Sequence, residues 1–166
     1  ALSICRRSGS FPDFSEELGN LTYPIEAVTT DGTNYWAVGG NKLYSGGLGS
    51  MEEWSDSPPL SGSEKFRGVA YGDLGSNNIV LSGNQGTLWR SQDGGTTWTS
   101  EEIQTDSQNV PLTSVTTVND TVLIATDGFG YYTANLENEE PAERLSLTTE
   151  AIYQASILSF WVDPVA

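Results

Sequence analysis

The sequence feature that most constrains the fold is an internal repeat with a period of about 43 residues. Three segments share the same order of apolar runs and turn residues. Two sets of equivalent positions define the repeat: Val28, Val69 and Val115, which are 41 and 46 residues apart, and Tyr44, Trp89 and Tyr132, which are 45 and 43 residues apart. This spacing is typical of a β-propeller, in which each blade is a four-stranded antiparallel sheet. The sequence therefore predicts an all-β propeller.

Each repeat divides into short β-rich runs separated by turn residues, with almost no helical periodicity. The second run of each repeat is continuously apolar: Trp36–Val38, Ile79–Leu81 and Val122–Ile124. Such a run is typical of a middle strand that is buried on both faces. Residues that tolerate positive φ stand between the runs: Asp31-Gly32 and Asn119-Asp120, then Gly39–Asn41, Gly83–Gly86 and Asp127–Gly130. They predict hairpin turns at these places.

The length of 166 residues and the repeat predict one propeller-like domain, residues 1–166. We divide it into three full blades with a partial blade at each end: 1–23, 24–64, 65–110, 111–148 and 149–166. The partial blades could share one blade, which would give four in total. They could instead pair with other copies of the chain or with a missing part of it. The sequence leaves these three alternatives open.

The charge balance excludes several classes of function. Asp and Glu number 22 against 7 for Lys and Arg, which gives a formal net charge of −15, and there is no His. Nucleic acid and anionic lipid repel such a polyanion, and no apolar run approaches the roughly 20 residues that cross a bilayer. We therefore expect no nucleic-acid partner and no membrane insertion. The absence of His excludes Ser-His-Asp triads and His-ligated zinc or haem.

The single Cys, Cys5, cannot form an intrachain disulfide. This count fits a reducing compartment or a secreted fold that is stable without disulfides. The acid excess and the abundance of Ser, Thr, Asn and Gly favour an extracellular or surface location. Because the chain begins at Ala1 rather than Met, we interpret it as a mature product or an excised piece.

One eight-residue segment carries a specific motif. The residues Ser91-Gln92-Asp93-Gly94-Gly95-Thr96-Thr97-Trp98 match the pattern Ser-x-Asp-x-Gly-x-Thr-Trp, which resembles the Asp box (BNR repeat) of sialidase-type β-propellers. The resemblance implies a structural turn on the outer rim, away from the central pocket. The motif residues fit that role: the carboxylate accepts backbone N–H groups, the glycine takes a conformation closed to other residues, and the indole packs between blades. The predicted structural Asp box is Ser91, Asp93, Gly95, Thr97 and Trp98.

The same resemblance raises the question of catalysis, because sialidases surround the sugar carboxylate with three Arg residues. This chain has five Arg, and we expect only Arg67, at the start of a first strand, to lie near the propeller axis. A glycosidase that uses two carboxylates needs no Arg triad, but nothing in the spacing of Glu26, Asp31, Asp73 or Asp120 separates catalysts from turn acids. We therefore assign no catalytic residue, no metal ligand and no cofactor.

The residues that we predict to face a ligand are Tyr35, Arg67, Phe129 and Tyr131, because the three aromatics flank glycine turns. The predicted function is a non-catalytic extracellular or surface scaffold. It would bind a protein or a glycan, and it would self-associate or belong to a larger assembly. Three alternatives stay open. They are a fragment of a sialidase-like glycoside hydrolase, an Asp-box assembly factor resembling the photosystem II propeller, and a structural subunit of a filament or virion.

Overall fold

The computed structural model describes residues 4–7, 14–18, 23–47, 52–53, 63–72, 77–105, 108–118, 121–128, 130–135 and 141–144. These residues form β-strands and no helix. The strands are β1 (Ile4–Arg7), β2 (Phe14–Leu18), β3 (Ala27–Thr30), β4 (Asn34–Gly39), β5 (Lys42–Gly47), β6 (Glu52–Glu53), β7 (Phe66–Tyr71), β8 (Ile79–Gly83), β9 (Thr87–Ser91), β10 (Thr99–Glu102), β11 (Gln104–Thr105), β12 (Gln108–Asn109), β13 (Leu112–Val118), β14 (Thr121–Thr126), β15 (Tyr131–Asn135) and β16 (Glu143–Arg144).

Twelve of these strands build three four-stranded antiparallel sheets, each made of four strands consecutive in the sequence. Blade 1 is β3–β6, blade 2 is β7–β10 and blade 3 is β13–β16. The pairs β1–β2 and β11–β12 form separate two-stranded sheets. The predicted class, an all-β propeller of four-stranded antiparallel blades, is confirmed. The predicted partial blade at 149–166 lies outside the described residues.

The middle strands are buried over most of their length, as their continuous apolar runs predict, although Leu123 in β14 is only half-buried. In β8 every residue is buried, and Ile79, Val80 and Leu81 are fully inaccessible. The turn glycines adopt the expected left-handed conformations: Gly32 joins β3 to β4 with φ 93°, and Gly86 precedes β9 with φ 101°. Residues without positive-φ tolerance would strain these turns.

Each blade has two faces, which we name by the direction of the neighbouring blade. The leading face looks toward the preceding blade, and three paired residues mark it in each sheet: Val28–Ala37–Tyr44, Val69–Leu81–Trp89 and Val115–Ile124–Tyr132. The trailing face looks toward the following blade, and its equivalent residues are Thr29–Trp36–Ser45, Ala70–Val80–Arg90 and Thr116–Leu123–Thr133.

Two apolar cores lie between the blades. Trp36, Val38 and Leu43 of blade 1 pack against the leading face of blade 2. The trailing face of blade 2, including Val80 and Leu88, packs in the same way against blade 3. A single small sheet cannot bury both of its apolar faces, so stacking on its neighbours supplies the core.

The first strands lie next to one another on the inner side of this stack. The backbone of Tyr71 in β7 links both neighbours, because its N–H donates to Thr29 Oγ1 at 3.2 Å and its carbonyl accepts from the Thr117 hydroxyl at 2.6 Å. The Tyr71 ring also stacks on Trp36, with centroids 4.9 Å apart and planes 11° apart. These contacts fix the first strands that carry the candidate site.

Candidate functional site

The blades have two rims. We call the end at which the first strands begin the upper rim; it also carries the turns between second and third strands. The lower rim carries the turns between first and second strands and between third and fourth strands. The backbone shows this arrangement directly: Asp127 N–H, in a second-to-third turn, bonds to Pro111 O beside β13 at 3.0 Å, whereas Gly94 N–H bonds to Asn77 O at 2.8 Å on the lower rim.

Three equivalent positions at the upper rim are Glu26, Arg67 and Thr113, which are 41 and 46 residues apart. In blades 2 and 3 the first-strand register shifts at this position, between Phe66 and Gly68 and again between Leu112 and Ser114. An extra residue of this kind leaves the ladder and aims its side chain away from the regular alternation. The irregularity thus turns Arg67 and Thr113 toward the inside of the ring of strands.

Arg67 and Glu26 form an ion pair between blades 1 and 2. The Nη1 to Oε1 distance is 3.2 Å, and the two side chains are 39% and 37% exposed. Solvent screens a pair of this exposure, so it contributes at most about 1 kcal/mol to stability. The pair orients the guanidinium without burying it.

A groove opens at this ion pair. Its upper part has a volume of about 500 Å³ and is lined by Glu26, Arg67, Asn84, Pro111, Leu112, Thr113 and Asp127. A second part of about 540 Å³ shares Glu26, Arg67 and Thr113 and runs along the inner strands β3, β7 and β13. We call the two parts the central groove. It combines one guanidinium, two carboxylates and a wall rich in Thr and Ser, and such polar, partly open surfaces suit hydrogen bonding to a polymer.

The Ser91–Trp98 turn lies at the lower rim, at the opposite end of blade 2 from Arg67. Asp93 Oδ1 accepts the Thr97 N–H at 2.8 Å and the Ser91 hydroxyl at 2.8 Å, and Asp93 Oδ2 accepts the Thr97 hydroxyl at 2.6 Å. These hydrogen bonds, the Thr97 hydroxyl first, lower the pKa of Asp93 from 3.8 to about 2. The hydrogen bonds that this carboxylate accepts therefore come from residues of its own turn.

The other residues of the turn complete the same network. Ser91 Oγ accepts the Gly95 N–H at 2.7 Å, and the Trp98 indole N–H donates to Gly95 O at 2.9 Å. Gly95 has φ 98°, a conformation that requires glycine. The Trp98 ring packs against the core between blades 1 and 2. The five motif residues therefore act together as one turn.

The structure brings only part of the predicted ligand-facing set together. Arg67 lies in the central groove. Tyr35 pairs with Thr30 at the lower-rim end of β4 and packs, half-buried, beside Ala37 and Tyr44, far from Arg67. Tyr131 is half-buried in β15, where it pairs with Ala125 near the upper rim, but it does not line the groove. Phe129 lies outside the described residues.

Two charged groups outside the predicted ligand-facing set are buried. Arg90 is 5% exposed on the trailing face of blade 2; its Nη2 donates to Glu101 Oε2 at 2.7 Å, and Glu101 Oε1 accepts the Ala142 N–H of blade 3. Glu64 is 3% exposed and accepts the N–H and hydroxyl of Thr87. The sequence gives a signal for burial only at Arg90. This residue lies two positions after Leu88 and therefore on the same, inward-facing side of β9.

Within the described ranges, no cluster of three or more Cys, Asp or Glu side chains has the geometry to hold a metal ion. In the same residues, no helix has the length and apolarity that crossing a membrane would require.

Comparison with solved structures identifies β-propellers. The structure of YCF48 bound to D1 peptide matches with a TM-score of 0.59 and 17% identity, covering 73% of this chain and 41% of that one. An ancestral GH74 enzyme matches with a TM-score of 0.61 and 17% identity, covering 82% of this chain and 20% of that one. No protein-family model matches, and neither does any curated protein. With 41% and 20% of the two solved chains covered, this chain spans less than half the length of either structure. The likeness concerns the fold.

Proposed function

We propose that this protein is a non-catalytic β-propeller of the Asp-box type. In this proposal it binds an extended segment of a partner protein in the central groove, at an extracellular or surface location and within a larger assembly. The observation that carries the proposal is Arg67, which a strand irregularity turns into a groove of about 500 Å³ while Glu26 holds it in place.

Three features support a binding role. The groove crosses the first strands of three blades, so a ligand that lies in it contacts all of them. Its wall offers hydroxyl groups and a guanidinium, which recognise carbonyl and carboxylate groups of a peptide. A structure with a similar fold, YCF48, has been solved with a bound D1 peptide, and this supports a peptide as the ligand class of the proposal.

The overall charge restricts the partner. At −15 the chain repels polyanions at long range, so a partner segment that is neutral or basic overall meets the smallest barrier. Arg67 then binds a single carbonyl or carboxylate of that segment, while Glu26 and Asp127 meet its cationic groups. The same polar groove could receive a glycan, which is the other ligand class of the proposal.

The experiment starts from phage-displayed 12-residue peptides selected on the 166-residue chain at physiological salt, with a glycan array run in parallel. The Kd of each selected peptide or arrayed glycan is then measured by calorimetry for the wild type, Arg67→Ala and Arg144→Ala. Arg144 is the matched control because it is an exposed Arg in β16, away from the groove. We expect Arg67→Ala to weaken binding at least about tenfold, and Arg144→Ala to leave it unchanged. Equal affinities for the three proteins would refute the groove as the binding site.

A second candidate function is glycoside hydrolysis, which one observation favours. Glu26 and Asp127 line the same part of the groove, and two facing carboxylates are the minimum catalytic apparatus of most glycosidases. The likeness to a GH74 enzyme agrees with this at the level of the fold. A panel of fluorogenic glycosides and soluble polysaccharides separates the two functions: the binding proposal predicts no turnover. Turnover that Glu26→Gln or Asp127→Asn abolishes would establish the enzyme.

A further inference from the structure

We infer that the central groove selects an extended peptide in which an aliphatic side chain lies two residues from a carboxylate or amide side chain. The aliphatic side chain packs on Val28, and the carboxylate or amide accepts hydrogen bonds from Arg67. This inference rests on the proposed function, because it names the peptide pattern that the same groove would recognise. It makes Val28 a specificity-determining residue.

The first observation is the apolar side chain that this polar groove contains. Val28 lines the part of the groove that runs along the inner strands, and it is 60% exposed. Its equivalents in blades 2 and 3, Val69 and Val115, line the same part but are only 5% and 6% exposed. A ligand in the groove therefore finds its apolar contact on β3, in blade 1, rather than on β7 or β13.

The second observation is the order of exposed residues along β3 and the residue before it. Glu26 and Val28 are exposed, whereas Ala27 between them is half-buried. Residues two apart in an extended strand lie on one face and about 6.6 Å from each other. The Glu26–Arg67 ion pair and Val28 are therefore separated by the distance that joins residues i and i+2 of an extended peptide.

The third observation is the chemistry on the other side of the groove. β7 lies between β3 and β13, because the backbone of Tyr71 bonds to Thr29 on one side and to Thr117 on the other. The groove-lining residues of β13 include Thr113 and Thr116, whose hydroxyl groups donate and accept hydrogen bonds. Alternate residues of an extended peptide face opposite ways. We therefore expect polar residues on either side of the aliphatic one.

The exposed Val28 favours a peptide over a glycan as the occupant. Covering Val28 with a sugar would remove water from the sugar hydroxyls without supplying a hydrogen bond in return. An aliphatic side chain loses no hydrogen bond there, and the contact removes apolar surface of both partners from water. The polar end of the groove at Arg67 and the apolar contact at Val28 together match a peptide that carries both kinds of side chain.

The test uses the 12-residue peptides that phage display selects on the 166-residue chain, with Kd measured by calorimetry. We expect the selected sequences to share an aliphatic residue two positions from Asp, Glu, Asn or Gln. Replacing that aliphatic residue with Ser should weaken binding to the wild type at least about fivefold, because the apolar contact is lost. Val28→Ser should weaken binding of the selected peptide by a similar factor. This variant should bind the selected and the Ser-substituted peptide with equal Kd, because the two changes remove the same contact.

Leu123→Ser is the matched control. It removes a half-buried aliphatic side chain of β14, which does not line the central groove, and it should bind the selected peptide with the Kd of the wild type. Because Val28 is mostly exposed, Val28→Ser should retain the fold, and circular dichroism melting verifies this for both variants.

The outcomes separate this inference from the proposed function. Binding that Arg67→Ala weakens and Val28→Ser leaves unchanged overturns the inference and leaves the proposed function standing. Binding that Arg67→Ala leaves unchanged overturns both. A selection that yields no peptide, or peptides without the shared spacing, overturns the inference, as does an equal loss of affinity in Leu123→Ser and Val28→Ser.

Discussion

Asp93 holds Thr97 with both oxygens of its carboxylate: Oδ1 accepts the backbone N–H at 2.8 Å and Oδ2 accepts the hydroxyl at 2.6 Å. The two residues are four apart in the chain, so this double contact closes the turn between β9 and β10. The ionised carboxylate accepts both bonds, which is why its pKa falls to about 2.

The first prediction concerns Asp93→Asn. An amide keeps the size of the carboxylate but its Nδ2 cannot accept from the Thr97 hydroxyl, so the variant should melt at a lower temperature than the wild type at neutral pH. The folded pKa lies below the unfolded value of 3.8. The stabilisation is therefore complete above pH 3.8 and is lost as pH falls toward 2. The melting temperatures of the two proteins should converge over that interval. A difference in melting temperature that stays the same at every pH would contradict stabilisation by the ionised Asp93 carboxylate.

The second prediction concerns the Arg90–Glu101 pair of blade 2, whose carboxylate also accepts the Ala142 N–H of blade 3. Glu101→Ala leaves the guanidinium of Arg90, 5% exposed, without its carboxylate. Because the Glu101 side chain keeps 21% exposure, we expect a loss of about 2 kcal/mol in the free energy of unfolding, less than for a fully buried pair. Glu102→Ala, in the same strand but exposed, should change stability by less than about 0.5 kcal/mol. Urea unfolding measures both, and equal effects would contradict a stabilising role for the Arg90–Glu101 ion pair.

The third prediction uses two glycines to separate steric from backbone effects. A Cβ on Gly68 would lie 2.7 Å from Ser82 Oγ and 2.9 Å from the backbone N of Val115 in the next blade. Gly68→Ala should therefore cost about 2 kcal/mol or more through displacement of β13. Gly32→Ala meets no atom within 4 Å but has φ 93°, so it should cost about 1 kcal/mol. The reverse order in chemical denaturation would show that β7 and β13 are farther apart.

The fourth prediction concerns Tyr132, whose hydroxyl is buried and has no hydrogen-bond partner among the described residues. Burial raises its pKa above 10.0, although Arg144 opposes the shift. Tyr132→Phe should leave stability equal or higher by about 1 kcal/mol at neutral pH, because an unsatisfied polar group is removed. Stability should fall less steeply for the variant as pH rises above 10. Destabilisation at neutral pH would reveal a partner for the hydroxyl.

Much of the fold follows from the sequence because the repeat constrains it many times over. The apolar run Ile79–Leu81 predicts β8, and Gly83–Gly86 predicts the turn that follows it; the structure has both. The local sequence is sufficient to predict β8 and this turn, because the burial of a strand and the conformation of a turn depend on residues that are neighbours in the chain.

The parts that the sequence did not predict depend on contacts between blades. Val28 and Val69 are equivalent in sequence but differ in exposure, 60% against 5%, and the cover on Val69 is the trailing face of blade 1. The sequence predicts Arg67 near the axis. It does not predict the ion pair with Glu26, because the register irregularity at β7 that directs Arg67 toward Glu26 has no local sequence pattern. The aromatic Tyr35 flanks a turn as expected, yet the fold directs that turn to the rim opposite Arg67.

The stacking of four-stranded sheets around an axis is the central claim, and the most direct test is isotope-edited nuclear Overhauser spectroscopy of the 166-residue chain. The stacking predicts contacts from Tyr71 to the Trp36 ring and from Val115 to Val80, which connect each blade only to its neighbour. Contacts between Trp36 of blade 1 and Ile124 of blade 3 would place all middle strands in one shared core. That result would indicate a two-layer sandwich and would contradict the propeller.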